Sequence, residues 1–553
     1  MELVYLWVEE YKNIRNQGFN FSPRFECEFD GENLTITENK DYMSIFPDKI
    51  NVTAIVGENG SGKSNILEIL FGNNIDNDCK FFYIVDEQNK NGKTTKITAY
   101  NFDDKMSIHF DDKMSIHFKE LKLGKSYKLS DFQNLKKPID KFSTLFYSNF
   151  PYIDNMSNQN SNIENAKNLA ISEKETYLTY KLKSIEYAIS MIKNNANFEK
   201  LLELPKKITI GIKEYQKPEF CKKFKKSIKF IDKVKIAIIC EIYKKRPKEV
   251  DKETIDCTKE LDTIFSKIIE MPVLGGLKED VNKFIKEAEN INEKYNTSLQ
   301  INIDNLETNF VNAYHIMVDS FFNLNIDLNI LNFSWYPNLS TGQETYLLQF
   351  ANLYNAMKKN DTHSNCIILI DEGECTLHPN WQKMYIKYII DFFQKNMKTK
   401  KNHIIFSSHS PFILSDIPKE NVIFLDKFDE KAKEKYPKLE MNGLENGNCI
   451  NVSKHVDIKT FGANIHTLLS DGFFMSDGLM GEFAKVKITE ILEFLNNEKK
   501  LKSIKKKQIK SIIESIGEDF LRNKLLNLYY KKFNTDKQHR IKELKNELKR
   551  LEK

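Results

Sequence analysis

Residues 50–56 (INVTAIV), 366–370 (CIILI) and 403–407 (HIIFS) are continuous apolar runs of strand length, rich in Val and Ile. Such runs predict buried, central strands. Residues 3–8 predict another. Directly after the first run the period changes: NILEILFG, 65–72, reads as a helix that closes on Gly72. Residues 80–150 alternate short apolar runs with turn residues and predict further strands. Within them DDKMSIHF occurs twice in tandem, at 103–110 and 111–118. Two copies are too few for a solenoid and predict a lengthened hairpin or loop. An Asn- and Ser-rich linker at 150–163 leads into a helical, Lys-rich stretch, 164–310, in which apolar positions 224, 228, 231, 238 and 242 keep helical spacing. The C-terminus, HRIKELKNELKRLEK, carries Ile541, Leu544, Leu548 and Leu551 on one face of a short amphipathic helix.

These elements predict an α/β protein with four regions. Residues 1–160 and 316–430 carry the predicted strands, 161–315 is a helical insertion or short arm between them, and 431–553 is a mostly helical basic region. At 553 residues the chain exceeds one ordinary domain. An apolar fraction of 41% with 29% charged residues is globular composition. The eight Cys include no CxxC pair, which predicts neither a zinc site nor a disulfide framework, and fits a reducing, cytoplasmic setting. The first residues are acidic where a signal peptide is basic, and no apolar run approaches membrane-span length. Net charge is only +5, but it is unevenly spread. Residues 217–246 hold eleven Lys/Arg against three Asp/Glu, and 491–553 hold 18 against 9. Both segments are candidates for DNA or RNA contact; for 217–246 this weighs equally with a solvated helix face whose Lys stems lie on apolar surface.

The chemistry is concentrated at the ends of the predicted strands. GENGSGKS, 57–64, fits G-x-x-x-x-G-K-[ST] between a strand and a helix. Gly57, Gly60 and Gly62 let backbone N–H groups close around phosphates, with Glu58, Asn59, Ser61 and Asn65 completing the loop. Lys63 neutralises β- and γ-phosphates, and the Ser64 hydroxyl is a Mg²⁺ ligand. CIILIDEGE ends in two carboxylates: Asp371 as a metal ligand, and Glu372 as the base that polarises the attacking water. IIFSSHSPF ends near His409, a candidate γ-phosphate sensor. LSTGQE, 339–344, is a polar helix entrance. Ser340, Thr341 and Gly342 offer it a hydroxyl, free N–H groups and a positive dipole end, and Gln343 follows. Because the glycine loop already holds the γ-phosphate from one side, this second nest is expected to approach it from a second copy of the chain.

Phosphate loop, LSTGQE, DEGECTLHP and SSHS, in that order, resemble an ABC-type ATPase head split by a helical segment, as in SMC and double-strand-break-repair ATPases. That resemblance implies that 1–160 and 316–430 are two halves of one mixed-sheet head. YLWVEEYKNI, DEGECTLHPNWQ and NIHTLLSDGFFMSDGLMGEFA are similar to the PtuA-type ATPases of Septu and retron anti-phage systems. The resemblance implies ATP and Mg²⁺ as ligands, and heads that form a homodimer around ATP, with Ser340 and Gly342 contacting the nucleotide in trans. It also implies a separate HNH nuclease partner and, in retron versions, a reverse transcriptase with its RNA–DNA product, the msDNA. Two features depart from the pattern. His378 of TLHP stands where a D-loop Asp is usual, and Asn149 of FYSN takes the place of the metal-binding glutamine. Both predict slow hydrolysis, with ATP acting as clamp or sensor. Two other readings are a nuclease of the overcoming-lysogenisation-defect type and an SMC-like repair ATPase. The first needs a carboxylate pair after His409; Asp426 and Asp429 of FLDKFDE have the wrong spacing for it. The second needs heptads and a Cys hook in the insertion, which it lacks.

Overall fold

In the computed structural model the residues described are 2–31, 33–39, 42–71, 81–88, 94–100, 107–110, 127–128, 143–148, 166–168, 177–194, 204–213, 229–248, 260–294, 300–359, 365–397, 401–439, 441, 443–469, 481–501 and 504–533. Two compact units divide the chain, Met1–Phe474 and Met475–Lys553.

The first unit is α/β and is built on a mixed sheet of eleven strands. One half is parallel, in the order Ala166–Asn168, Ser143–Ser148, Asn365–Asp371, Lys401–Ser408, Ile50–Gly57, Val422–Lys427. The order then continues through Cys449–Asn451, Ile14–Asn20, Glu2–Tyr11, Phe81–Gln88 and Thr94–Tyr100, mostly antiparallel. The apolar runs become central strands because both of their faces are covered. Alternation sends Val52, Ala54, Val56, Ile368, Ile370, Ile404 and Phe406 into one core, and Ile55, Ile367, Leu369 and Ile405 into another. The helix Lys63–Phe71 lies in the second core, where Leu3, Leu6 and Phe19 of the antiparallel half meet the parallel half around Ile66, Leu67 and Ile69.

The 161–315 region does not stand apart from this core in its described part. Helices Tyr177–Lys193, Phe230–Lys245, Leu261–Ile269, Leu277–Lys294 and Thr308–Phe322 share the first core with helix Thr341–Lys359, which LSTGQE opens. Polar links tie helix Tyr177–Lys193 to that helix: Lys181 pairs with Glu344 at 3.1 Å, and the Asn352 side-chain amide donates to Ser184 at 2.9 Å and to the Tyr180 hydroxyl at 3.5 Å. A three-stranded antiparallel sheet of Gln300–Asn302, Lys207–Ile212 and Leu331–Tyr336 leads the chain back to LSTGQE.

Strands Val422–Lys427 and Cys449–Asn451 belong to the large sheet, so the described residues between 431 and 469 fall in the first unit instead of the basic C-terminal region. The second unit is helical, with Glu482–Leu495, Ile509–Glu514 and Asp519–Phe533 around Ile491, Ile509, Ile513 and Leu525. No helix among the described residues is long and apolar enough to cross a membrane. The first DDKMSIHF copy supplies the strand Ser107–Phe110, which pairs with Asn33–Glu38. The second copy, the 150–163 linker and the helix expected near 541–551 lie outside the described residues, as does Asn149.

Candidate functional site

Four adjacent parallel strands end in register at one edge of the large sheet. Ser148 pairs with Asp371, Asp371 with Ser407, and Ser408 with Val56, one residue before the phosphate loop. A parallel sheet whose strands end together brings chemistry from distant parts of the sequence to one crevice.

The loop from Gly57 to Lys63 closes tightly. A Cβ on Gly57 would collide with the Leu425 carbonyl oxygen, so glycine is required there by space as well as by backbone angle. Gly60 and Gly62 hold φ of 76° and 105°. The loop is braced by Asn13, whose side chain donates to the carbonyls of Gly60 at 2.9 Å and Gly447 at 3.3 Å. The same side chain accepts from the Asn65 amide at 2.7 Å. Nothing in the local sequence around Asn13 marks this role, because the contact spans strands distant in the chain.

Lys63 is buried, and its ammonium donates to the carbonyls of Gly57 at 3.1 Å and Glu58 at 2.9 Å. Burial lowers its pKa to about 8, against the opposing pull of Glu372 and Asp371. Ser64 Oγ lies 3.5 Å from both Asp371 carboxylate oxygens, and the Ser407 hydroxyl donates to one of them. Hard oxygen donors facing each other beside a phosphate loop fit Mg²⁺, which takes few protein ligands and keeps phosphate and water oxygens. Among the described residues no cluster of three or more His, Cys, Asp or Glu forms a protein cage for a metal.

Glu372 follows at the strand tip with φ of 48°, a left-handed angle that a residue with a side chain rarely adopts. Its N–H donates to the Ser407 carbonyl at 3.1 Å. Gly373 permits the turn: a Cβ there would strike the Tyr385 hydroxyl, the Gln349 amide and Ile370. Burial, followed by the Asp371 charge, raises the Glu372 pKa above the ordinary carboxylate value. His409 Nε2 lies 3.4 Å from Glu372 Oε1. Burial, helped by Lys63, lowers the His409 pKa to about 4, so the imidazole is neutral at pH 7. Lys63, Ser64, Asp371, Glu372 and His409 therefore gather at one place.

Ser340, Gly342 and Gln343 make other contacts among the described residues. The Ser340 N–H donates to Gln343 Oε1 at 2.8 Å, and the Gln343 N–H donates to Ser340 Oγ at 3.3 Å. This reciprocal capping box accounts for the Ser-x-x-Gln spacing, which from the sequence suggests only an anion nest. Ser340 and Thr341 remain exposed. Gly342 lies close against the 376–377 backbone, which follows the DEGE turn. His378 caps its own helix, Pro379–Asn396, through Nδ1 and the Asn380 N–H at 3.2 Å.

Asp426 and Asp429 are committed elsewhere. Asp426 accepts from Lys435 and Tyr436, both at 2.8 Å, and Asp429 caps the helix Glu430–Lys435. The basic segments are also partly self-neutralised. Residues 217–228 lie outside the described residues, and in the following helix Lys235 is buried and bonded to Asp262 at 2.7 Å. In the C-terminal unit Lys499 pairs with Glu493 at 2.7 Å, while Lys505, Lys506 and Lys507 are exposed in the turn before Ile509–Glu514.

Comparison with known proteins adds four findings. The chain is 28% identical over 102 residues to the Retron Vc95 probable ATPase of Vibrio cholerae serotype O1 biovar El Tor, a match covering 17% of this chain and 19% of that protein. An SMC head domain from Thermotoga maritima aligns over 82% of this chain and 98% of its own, at 12% identity and a TM-score of 0.24. The recombination mediator RecF aligns over 77% and 96%, at 13% identity and a TM-score of 0.21. Structural likeness at these scores carries no weight beside the strand order itself. A protein-family model, by contrast, matches residues 28–414, from the antiparallel strands past the histidine, and the chain belongs to that family, the AAA ATPase domain family AAA_15.

Proposed function

We propose that this ATPase binds Mg·ATP at the 57–65 loop and hydrolyses it slowly, with two chains closing face to face around the nucleotide. The observation that carries the reading is the convergence of Lys63, Ser64, Asp371, Glu372 and His409 at aligned strand ends. The loop N–H groups, with Lys63 turned from its own carbonyls to the β- and γ-phosphates, hold the substrate. Ser64 and Asp371 would hold Mg²⁺, which would supply charge neutralisation at the phosphate oxygens. A water oxygen attacks the γ-phosphorus while its proton passes to the Glu372 carboxylate. The bond from γ-phosphorus to the bridging oxygen breaks, and ADP leaves with the electron pair. Neutral His409 orients Glu372 or the γ-phosphate by hydrogen bonding, without adding charge.

The capped entrance at Ser340 is the exposed half of the composite site. Its partner is the phosphate loop of the second chain. This predicts that Ser340→Arg and Lys63→Ala complement each other in mixed dimers. Each homodimer carries two defective sites. The mixed dimer gathers both lesions into one site and leaves the other intact. Co-expressed, verified mixed dimers are expected to recover up to about half of wild-type phosphate release. ATP-dependent dimerisation of Ser340→Arg alone at wild-type strength contradicts the shared site.

We further propose that the ATP-closed dimer is the sensor or scaffold of an anti-phage complex in the cytoplasm, controlling a separate HNH nuclease. Support comes from the motif resemblance and from the retron ATPase that the chain matches in part. In a retron setting the complex also contains a reverse transcriptase and msDNA. Co-purification from cells with and without ATP tests this assembly: loss of the nuclease in the Lys63→Ala variant is the expected result. DNA or RNA contact falls to the exposed Lys505–Lys507 turn of the C-terminal unit and to 217–228. Replacing Lys505, Lys506 and Lys507 by Gln is expected to lower the log–log salt slope of nucleic-acid binding by roughly 2–3, at about 0.9 for each phosphate no longer neutralised. An unchanged slope removes that turn from the interface.

A further inference from the structure

His409 is flanked by two serines, and each is held by a side chain from the segment that follows Glu372. Ser408 is fully buried, and its hydroxyl donates to Glu374 Oε1. The same hydroxyl accepts from the Ser410 N–H at 2.9 Å, which bridges the loop around His409. On the other side the Ser410 hydroxyl donates to Gln382 Oε1 at 2.9 Å. Gln382 is fixed in turn, because its amide donates to the Leu377 carbonyl at 3.0 Å. Leu377 follows Thr376, whose carbonyl oxygen is the backbone atom nearest to Gly342 at the LSTGQE entrance.

Glu374 is an unusual residue for this place. It is 2% exposed, and its second carboxylate oxygen is buried without a hydrogen-bond partner among the described residues. A carboxyl group in such surroundings is costly to bury. A residue chosen for packing alone would be apolar here. Among the described residues, the side chain that bonds the Glu374 carboxyl is the serine next to His409.

We propose that Glu374 and Gln382 are positioning residues that grip His409 from both sides through Ser408 and Ser410. They set the 3.4 Å separation between His409 Nε2 and Glu372 Oε1. The two grips lie on one stretch of chain, 374–382, whose middle touches the LSTGQE entrance. Movement of that entrance when it meets a partner's nucleotide is therefore passed to His409 of the same chain. This rests on the proposed hydrolytic roles of Glu372 and His409.

The test uses the full chain and reads kcat, ATP affinity and double-mutant coupling. Displacing a catalytic group by about 1 Å costs about 10²-fold in rate. Glu374→Ala and Gln382→Ala are each expected to lower kcat by roughly 10- to 100-fold, with ATP affinity within about 2-fold of wild type, because neither touches the phosphate loop. Glu374→Gln keeps an oxygen that accepts from Ser408 and is expected to restore most of the rate. In a His409→Ala background, Glu374→Ala and Gln382→Ala are expected to cost nothing further, since they act through the missing group. Ser408→Ala provides the same reading should Glu374→Ala fail to fold. Wild-type kcat in both single variants overturns the clamp. So does full additivity with His409→Ala, which would assign both residues to general packing. Failure of the underlying reading looks different: His409→Ala itself would then turn over ATP at the wild-type rate.

Discussion

Lys63→Ala is expected to abolish ATP binding, with affinity falling by at least roughly 100-fold. Hydrogen bonds to charged groups contribute about 1.5–3 kcal/mol each, and every 1.4 kcal/mol is tenfold in affinity. Lys63 donates to two carbonyls of its own loop, at 3.1 and 2.9 Å. Those bonds show that its reach covers the space the loop encloses. A triphosphate offers the same ammonium stronger acceptors, and the alanine offers the phosphates none. The backbone glycine angles are unaffected by the change, so the variant is expected to fold and to melt near the wild-type temperature without nucleotide. Equilibrium binding of labelled ATP measures the effect. Wild-type affinity in the variant would remove the loop from the site.

Glu372→Gln is expected to leave ATP binding intact and to lower turnover by roughly 10²–10⁴-fold, the range for loss of a general base. The amide keeps the shape and the contact to His409 but cannot accept the water proton. Because the left-handed backbone at Glu372 is already strained, a substitution of equal size is the cleanest one there. ATP-bound dimer accumulates as a consequence, and light scattering with and without ATP reports it. Unchanged turnover would pass the role of base to His409 or His378.

Much of the candidate site is legible in the sequence because its residues sit next to strand ends that announce themselves. VTAIV, CIILI and HIIFS are apolar throughout, since each strand is covered on both faces, and each run stops where chemistry begins. The glycine loop is legible for the same reason: its backbone geometry leaves little choice of residue. What the sequence hides are contacts between segments far apart in the chain. Asn13 braces Gly60 from 47 positions away, and Glu374 reaches Ser408 across 34. Neither has a local pattern. The capping box at Ser340–Gln343 is local and readable by spacing, yet its hydroxyl suggests an anion first. The insertion illustrates the opposite limit. Its helical spacing is visible, with Ile231, Ile238 and Ile242 all buried, but the amphipathic pattern does not say that they share a core with helix Thr341–Lys359. Lys235 counts toward a basic stripe in the sequence and is instead an internal partner of Asp262, because charge counts along a sequence carry no information about what faces each residue.

Phosphate release from ATP by the purified full chain, measured with Mg²⁺ beside Lys63→Ala and Glu372→Gln, tests the central claim most directly. Slow, Mg²⁺-dependent release is expected from the wild type, none from Lys63→Ala, a rate roughly 10²–10⁴-fold lower from Glu372→Gln, and retained ATP on Glu372→Gln alone. Release by Glu372→Gln at the wild-type rate, or ATP bound equally by Lys63→Ala, would contradict that claim.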